Sequence, residues 1–68
     1  MKLYFQNSNG KKRLVAEVGN QEDAIREIKK FCEERDYRIP YVRRWGDLDK
    51  DGVTFDVGSW SESFILKK

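Results

Sequence analysis

Cationic and aromatic side chains are concentrated in the middle of the sequence. They are Arg35, Arg38, Tyr41, Arg43, Arg44 and Trp45. Aromatic rings can stack on nucleic-acid bases while arginines contact phosphates, and Trp, Tyr and Arg also dominate the energetics of protein–protein interfaces. This segment is therefore a candidate binding surface for a protein or for a nucleic acid.

Carboxylates form the second pattern. Asp47, Asp49 and Asp51 alternate with other residues ahead of Gly52, in a spacing that resembles the start of an EF-hand Ca²⁺ loop. Where that loop has a bidentate Glu, this chain has Gly58, and the flanking segments are typical of strands rather than helices. We interpret residues 47–52 as a polar hairpin turn, with weak Ca²⁺ binding by the three Asp carboxylates as the alternative.

Several classes of chemistry are excluded by composition. The chain has no histidine and one cysteine, Cys32, so it has neither a Ser-His-Asp triad nor a Cys/His zinc site. Cys32 falls on the apolar face of a predicted helix, where a thiol usually serves packing. We expect a protein that is not an enzyme and has no cofactor.

The charge balance and the lengths of the apolar runs indicate which partners the protein binds and in which compartment it functions. Lys and Arg number 14 against 12 for Asp and Glu, whereas a dedicated nucleic-acid domain usually carries a larger positive surplus. Carboxylates near the arginines would also repel phosphate, so a protein partner is favoured over nucleic acid. No apolar run approaches the length needed to cross a bilayer, and a lone cysteine forms no intramolecular disulfide. These features predict a cytoplasmic protein without a membrane partner.

The elements that position these residues follow from periodicity. Alternating residues predict strands at Lys2–Gln6 and Arg13–Val18, joined by a turn at residues 7–10. Asn20 is a predicted N-cap, and the helix after it carries an apolar stripe of Ala24, Ile25, Ile28, Phe31 and Cys32. Three strands follow, at Tyr41–Trp45, Val53–Val57 and Ser63–Leu66.

The predicted fold is α+β, in the order ββαβββ, with one antiparallel sheet and one helix packed on one face. All 68 residues are expected to form a single domain. The predicted core consists of Leu3, Phe5, Leu14, Ala16, Val18, Ile25, Ile28, Phe31, Val42, Val53, Phe55, Val57, Phe64 and Leu66. A core of this size gives a small net stability, which is compatible with a monomer or a weak homodimer.

The orientation of the third strand determines the candidate site. If Val42 faces the helix, then Tyr41, Arg43 and Trp45 lie together on the uncovered face of the sheet. Tyr4, Arg13 and Val15 from the first hairpin would lie beside them. The predicted partner-binding residues are Tyr4, Tyr41, Arg43, Arg44 and Trp45. In the alternative arrangement Tyr41 and Trp45 close the core.

Four features spread over the whole chain carry a resemblance. They are Lys2-Leu3-Tyr4-Phe5, the charged helix after Asn20, Tyr41-Val42-Arg43-Arg44-Trp45, and Phe55-Asp56-Val57-Gly58-Ser59 ahead of an aromatic last strand. In these the sequence resembles small uncharacterised proteins of phages and prophages in Gram-positive bacteria. The resemblance implies an accessory protein of unknown activity and implies no particular site residue. Our first hypothesis is a non-enzymatic protein-interaction module that modulates a host factor.

Overall fold

The computed structural model describes residues 1–36, 42–58 and 62–68. Its elements are β1 (Lys2–Gln6), β2 (Lys12–Glu17), α1 (Gln21–Glu34), β3 (Arg43–Asp47), β4 (Gly52–Asp56) and β5 (Ser63–Lys67). The strands form one antiparallel sheet in the order β2-β1-β5-β4-β3. This confirms the predicted α+β fold.

The helix begins where its cap residue predicts. The Asn20 side-chain carbonyl accepts the N–H of Asp23 at 2.8 Å, and Glu22 and Asp23 place negative charge in the first turn. Ala24, Ile28 and Cys32 are buried along the inner face, with Ile25 and Phe31 half-buried beside them. The predicted apolar stripe is therefore the face that packs on the sheet.

The sheet meets the helix through alternate residues of its strands. Those buried on this side are Leu3, Val53, Phe55, Phe64 and Leu66. A cluster of three aromatic rings joins the sheet to the helix, with Phe5 and Phe31 centroids 5.0 Å apart and Phe64 within 5.4 Å of both. The guanidinium of Arg35 lies 3.8 Å from the Phe31 ring centroid and covers the cluster.

The prediction that Leu14 belongs to the core is wrong. A β-bulge interrupts the first hairpin: Ala16 lies opposite Leu3, but Leu14 lies opposite Tyr4, so Val15 is the extra residue of β2. A bulge reverses the in–out alternation of the strand beyond it. Leu14 consequently points away from the helix and is 51% exposed, while Val15 packs against the core.

The third strand lies two residues further along the chain than predicted. It covers Arg43–Asp47 instead of Tyr41–Trp45, because a tight turn at residues 48–51 lets Asp47 pair with Gly52. Gly46 and Gly52 have φ values of 109° and 98°, which residues with a Cβ rarely adopt. Val42 is half-buried and packs against the core, as expected, whereas Tyr41 lies outside the described residues.

Candidate functional site

The face of the sheet opposite the helix carries one continuous row of side chains. Residues directly opposite in an antiparallel sheet share a face, and the register links one residue from every strand. From β2 to β3 these are Leu14, Tyr4, Ile65, Thr54 and Trp45, which we call the central row. Because Leu3, Phe64 and Phe55 on the same strands face the helix, the central row lies on the other side, which we call the open face.

The central row is most exposed at its two ends. Trp45 on the edge strand β3 is 55% exposed, and Leu14 on the edge strand β2 is 51% exposed. Tyr4, Ile65 and Thr54 lie between them and are half-buried by their neighbours. Placing Trp45, Arg43 and Tyr4 on one open face agrees with the predicted orientation of the third strand.

Two polar rows flank the central row. On the side of Lys2, the register aligns Glu17, Lys2 and Lys67 across β2, β1 and β5, and Asp47 with Gly52 across β3 and β4. On the side of Gln6, it aligns Lys12, Gln6 and Ser63 across β2, β1 and β5, and Arg43 with Asp56 across β3 and β4. The pairing of Thr54 with Ile65 brings the two parts of each row into line. Both rows carry charges of both signs, so the open face has an apolar centre and a mixed-charge border, the arrangement typical of protein interfaces.

Arg43 stands on the open face in an ion pair. Its guanidinium Nη2 lies 3.2 Å from Asp56 Oδ2 on the neighbouring strand. The pKa of Asp56 is lowered, first because the N–H of Gly58 donates to its other oxygen at 2.9 Å, and further because of Arg43. Part of the positive charge predicted for this surface is thus balanced within the chain.

Arg44 is not on the open face. It lies opposite Phe55 on the side of the helix, and its Nη1 donates to the side-chain oxygen of Gln21 at 2.9 Å. The structure therefore separates Arg44 from the other described residues predicted to bind a partner. Tyr41 lies outside the described residues, as do Arg38 and Trp60.

The expected positions of Arg13 and Val15 on the open face are wrong. Beyond the bulge Arg13 lies opposite Phe5, which packs on the helix side, and Val15 packs against the core. Arg13 and Val15 line a shallow groove between β2 and the end of α1, together with Glu27, Lys30, Phe31, Glu34 and Arg35. Three cations, Arg13, Lys30 and Arg35, and two carboxylates, Glu27 and Glu34, line this groove, so side chains of both charges meet any ligand there.

The Asp-rich segment forms the turn of the β3–β4 hairpin. Asp47 Oδ1 accepts the N–H of Asp49 at 2.9 Å, and the Asp47 carbonyl accepts the N–H of Lys50 at 3.0 Å. The Asp49 carboxylate pairs with the Lys68 ammonium group. In the described part of the chain no three His, Cys, Asp or Glu side chains are grouped to hold a metal.

Cys32 is buried on the inner face of α1. Burial raises the pKa of its thiol, although the nearby Arg35 acts in the opposite direction. A neutral buried thiol is a packing residue rather than a nucleophile, in agreement with its position on the apolar stripe.

Three residues of the central row, Leu14, Thr54 and Ile65, were not among the predicted site residues. Thr54 lies between the core residues Val53 and Phe55, so alternation in β4 places it on the open face. Ile65 sits between the core residues Phe64 and Leu66, so strict alternation in β5 places it on the open face. That signal was present in the sequence. Leu14 had no such signal, because its orientation depends on the bulge at Val15.

Comparison with known proteins gives no match among family models, curated proteins or solved structures. Over residues 1–36, 42–58 and 62–68, no helix has the length and apolar character required to span a membrane. The function must therefore be inferred from the side chains of this chain.

Proposed function

We propose that this protein is a non-enzymatic interaction module that binds another protein through its open face. The observation that carries the proposal is the central row, which crosses all five strands and ends in two large, half-exposed apolar side chains, Trp45 and Leu14. Exposed tryptophan beside tyrosine is typical of interface hot spots. The absence of histidine from the sequence supports a role other than catalysis.

The border of the open face favours a protein over a nucleic acid. Glu17 and Asp47 flank the central row, and Arg43 shares its charge with Asp56. A phosphate backbone approaching this face would meet these carboxylates, whereas a protein partner can match charges of both signs.

The biological setting is part of the same proposal. The sequence resemblance supports a phage or prophage accessory protein that acts on a factor of its Gram-positive host. A single cysteine, buried on the inner face of the helix, supports function in the reducing cytoplasm.

Affinity capture from nuclease-treated host lysate tests the proposal. The baits are the wild-type protein, Trp45→Ala and Lys29→Ala, whose altered residue lies exposed on the helix. Wild type and Lys29→Ala are expected to retain the same host protein, and Trp45→Ala is expected to lose it, because a tryptophan hot spot contributes about 2 kcal/mol or more.

Two results would contradict the proposal. The first is equal capture by Trp45→Ala and wild type, which would move the interface away from the open face. The second is capture that disappears on nuclease treatment, which would point to nucleic acid as the partner.

A further inference from the structure

We propose that the open face also binds a second copy of this chain, with two copies packed face to face about a two-fold axis parallel to the central row. The inference rests on the proposed role of the open face as a protein-binding surface. It names one partner that this surface fits, and the arrangement of charges on the two flanking rows carries it.

The two-fold axis determines which residues meet. Two sheets that pack face to face lie about 10 Å apart, which side chains from both faces span. Rotation about an axis parallel to the central row places each central-row residue over the same residue of the second copy. The rotation also exchanges the two flanking rows, so that each lies over the other.

This exchange brings opposite charges together at both ends of the interface. Glu17 comes to lie over Lys12 of the second copy at the β2 end. Asp47 comes to lie over Arg43 of the second copy at the β3 end. The two-fold axis repeats each contact, so four pairs of opposite charge border the apolar centre. Packed sheets cross at roughly 30°, and the long Lys and Arg side chains can still reach their partners at that angle.

The other symmetric arrangement is opposed by the same charges. With the axis parallel to the strands, Glu17 would lie over Asp47 and Lys12 over Arg43 of the second copy. Lys67 on the central strand β5 would lie over its own counterpart. Like charges placed directly opposite disfavour a mode of association, so the charge pattern selects one of the two face-to-face arrangements.

The size of the open face predicts a weak dimer. Five strands about 4.8 Å apart, with about 3.3 Å per residue along each strand, give a flat area of roughly 400 Å² per copy. An interface of this size falls at the small end of specific protein contacts, where complexes are transient. Another protein that uses the open face would therefore displace the second copy.

Sedimentation velocity over a range from micromolar to several hundred micromolar protein tests the inference. Wild type is expected to shift from monomer to dimer, and Glu17→Lys and Lys12→Glu are each expected to weaken the dimer at least tenfold. An equimolar mixture of these two variants is expected to dimerise again, because the lysine introduced at position 17 then meets the glutamate introduced at position 12. Both positions are exposed, whereas Asp47 also holds the β3–β4 turn and is less suitable.

Matched controls separate the local effect from net charge. Glu33→Lys and Lys29→Glu make the same charge changes at exposed positions of α1, and both are expected to dimerise like wild type. Wild type that remains monomeric throughout overturns the inference, as does failure of the mixture to regain the dimer.

The experiment also separates this inference from the proposed function. If wild type is monomeric and capture of a host protein still depends on Trp45, the inference fails and the proposed function stands. If wild type is monomeric and Trp45→Ala captures the same proteins as wild type, both fail together.

Discussion

Arg43 and Arg44 are adjacent in sequence but lie on opposite faces of β3. Arg43 contacts Asp56 on the open face, while Arg44 reaches Gln21 at the start of α1. A partner that covers the open face can therefore touch only one of the two guanidinium groups. The other guanidinium group, that of Arg44, connects the edge strand β3 to the helix.

The bulge at Val15 gives a direct prediction for stability. Leu14→Thr is expected to change the free energy of unfolding by no more than about 0.5 kcal/mol, because Leu14 is 51% exposed. Leu3→Ala, at a fully buried position of the neighbouring strand, is expected to cost about 2–5 kcal/mol. Urea unfolding of both variants measures these values, and a loss above about 2 kcal/mol for Leu14→Thr would place that side chain in the core.

The hairpin between β3 and β4 requires glycine at position 46. A Cβ there would collide with the backbone carbonyl oxygen of Gly52, and φ is 109°, so Gly46→Ala must displace the backbone. Gly10 also has a positive φ but has open space around it, so Gly10→Ala is expected to cost only about 1–2 kcal/mol of conformational strain. In thermal unfolding, the melting temperature of Gly46→Ala should lie well below that of Gly10→Ala. Equal melting temperatures would contradict the close approach of position 46 to the Gly52 carbonyl oxygen.

The sequence carried enough information for the order of elements and for the inner face of the helix. The Asn20 cap and the spacing of Ala24, Ile28 and Cys32 are local signals, and they determine where α1 begins and which side it buries. Alternation linked the orientation of Trp45 to that of Val42 but left both orientations of the strand open, and the inward packing of Val42 decides between them.

The parts of the candidate site that the sequence did not predict are the orientation of Leu14 and the bounds of β3, and both depend on pairing between strands. The extra residue in β2 lies opposite the step from Leu3 to Tyr4 in β1, and the periodicity of one strand does not reveal how it pairs with the next. The shift of β3 has a similar origin, since a tight turn allows Gly46 and Asp47 to pair with β4 although neither residue type favours strands.

Asp56 should make stability depend on pH in the acid range. Its pKa is lower in the folded protein, chiefly through the Gly58 N–H and then through Arg43, so its charged form stabilises the fold. This contribution is present above the pKa of an unfolded Asp, about 3.9, and is lost as pH falls through the lower folded value. Asp56→Asn keeps an oxygen for the Gly58 N–H but carries no charge.

Urea midpoints measured between pH 5 and pH 2 test this contribution. Wild type is expected to lose more stability over the interval than Asp56→Asn, because only wild type protonates a stabilising carboxylate there. Parallel curves for the two proteins would show that Asp56 has the same pKa in the folded and unfolded chains.

The Asp-rich turn is expected to be structural. The double variant Asp47→Asn with Asp49→Asn should fold, with a decrease in the free energy of unfolding below about 1 kcal/mol. The amide oxygen introduced at position 47 can still accept the N–H of residue 49, and the ion pair between Asp49 and Lys68 is exposed and therefore weak. An NMR titration with Ca²⁺ should leave residues 47–58 of wild type unshifted. Saturable shifts confined to those residues at sub-millimolar Ca²⁺ would identify a metal site.

The opposite orientations of Arg43 and Arg44 distinguish a nucleic-acid partner from a protein partner. An arginine that contacts a phosphate contributes about one unit to the slope of log affinity against log salt. For a protein bound to the open face, we expect Trp45→Ala to weaken binding by about 2 kcal/mol or more, with little salt dependence, and Arg44→Ala to leave the affinity unchanged. Fluorescence anisotropy with a labelled single-stranded oligonucleotide should show equally weak binding and equal salt slopes for wild type, Arg43→Ala and Arg44→Ala. If both arginine variants lower the slope by about one, a single nucleic-acid strand reaches both faces of β3, and the open face is not the whole binding surface.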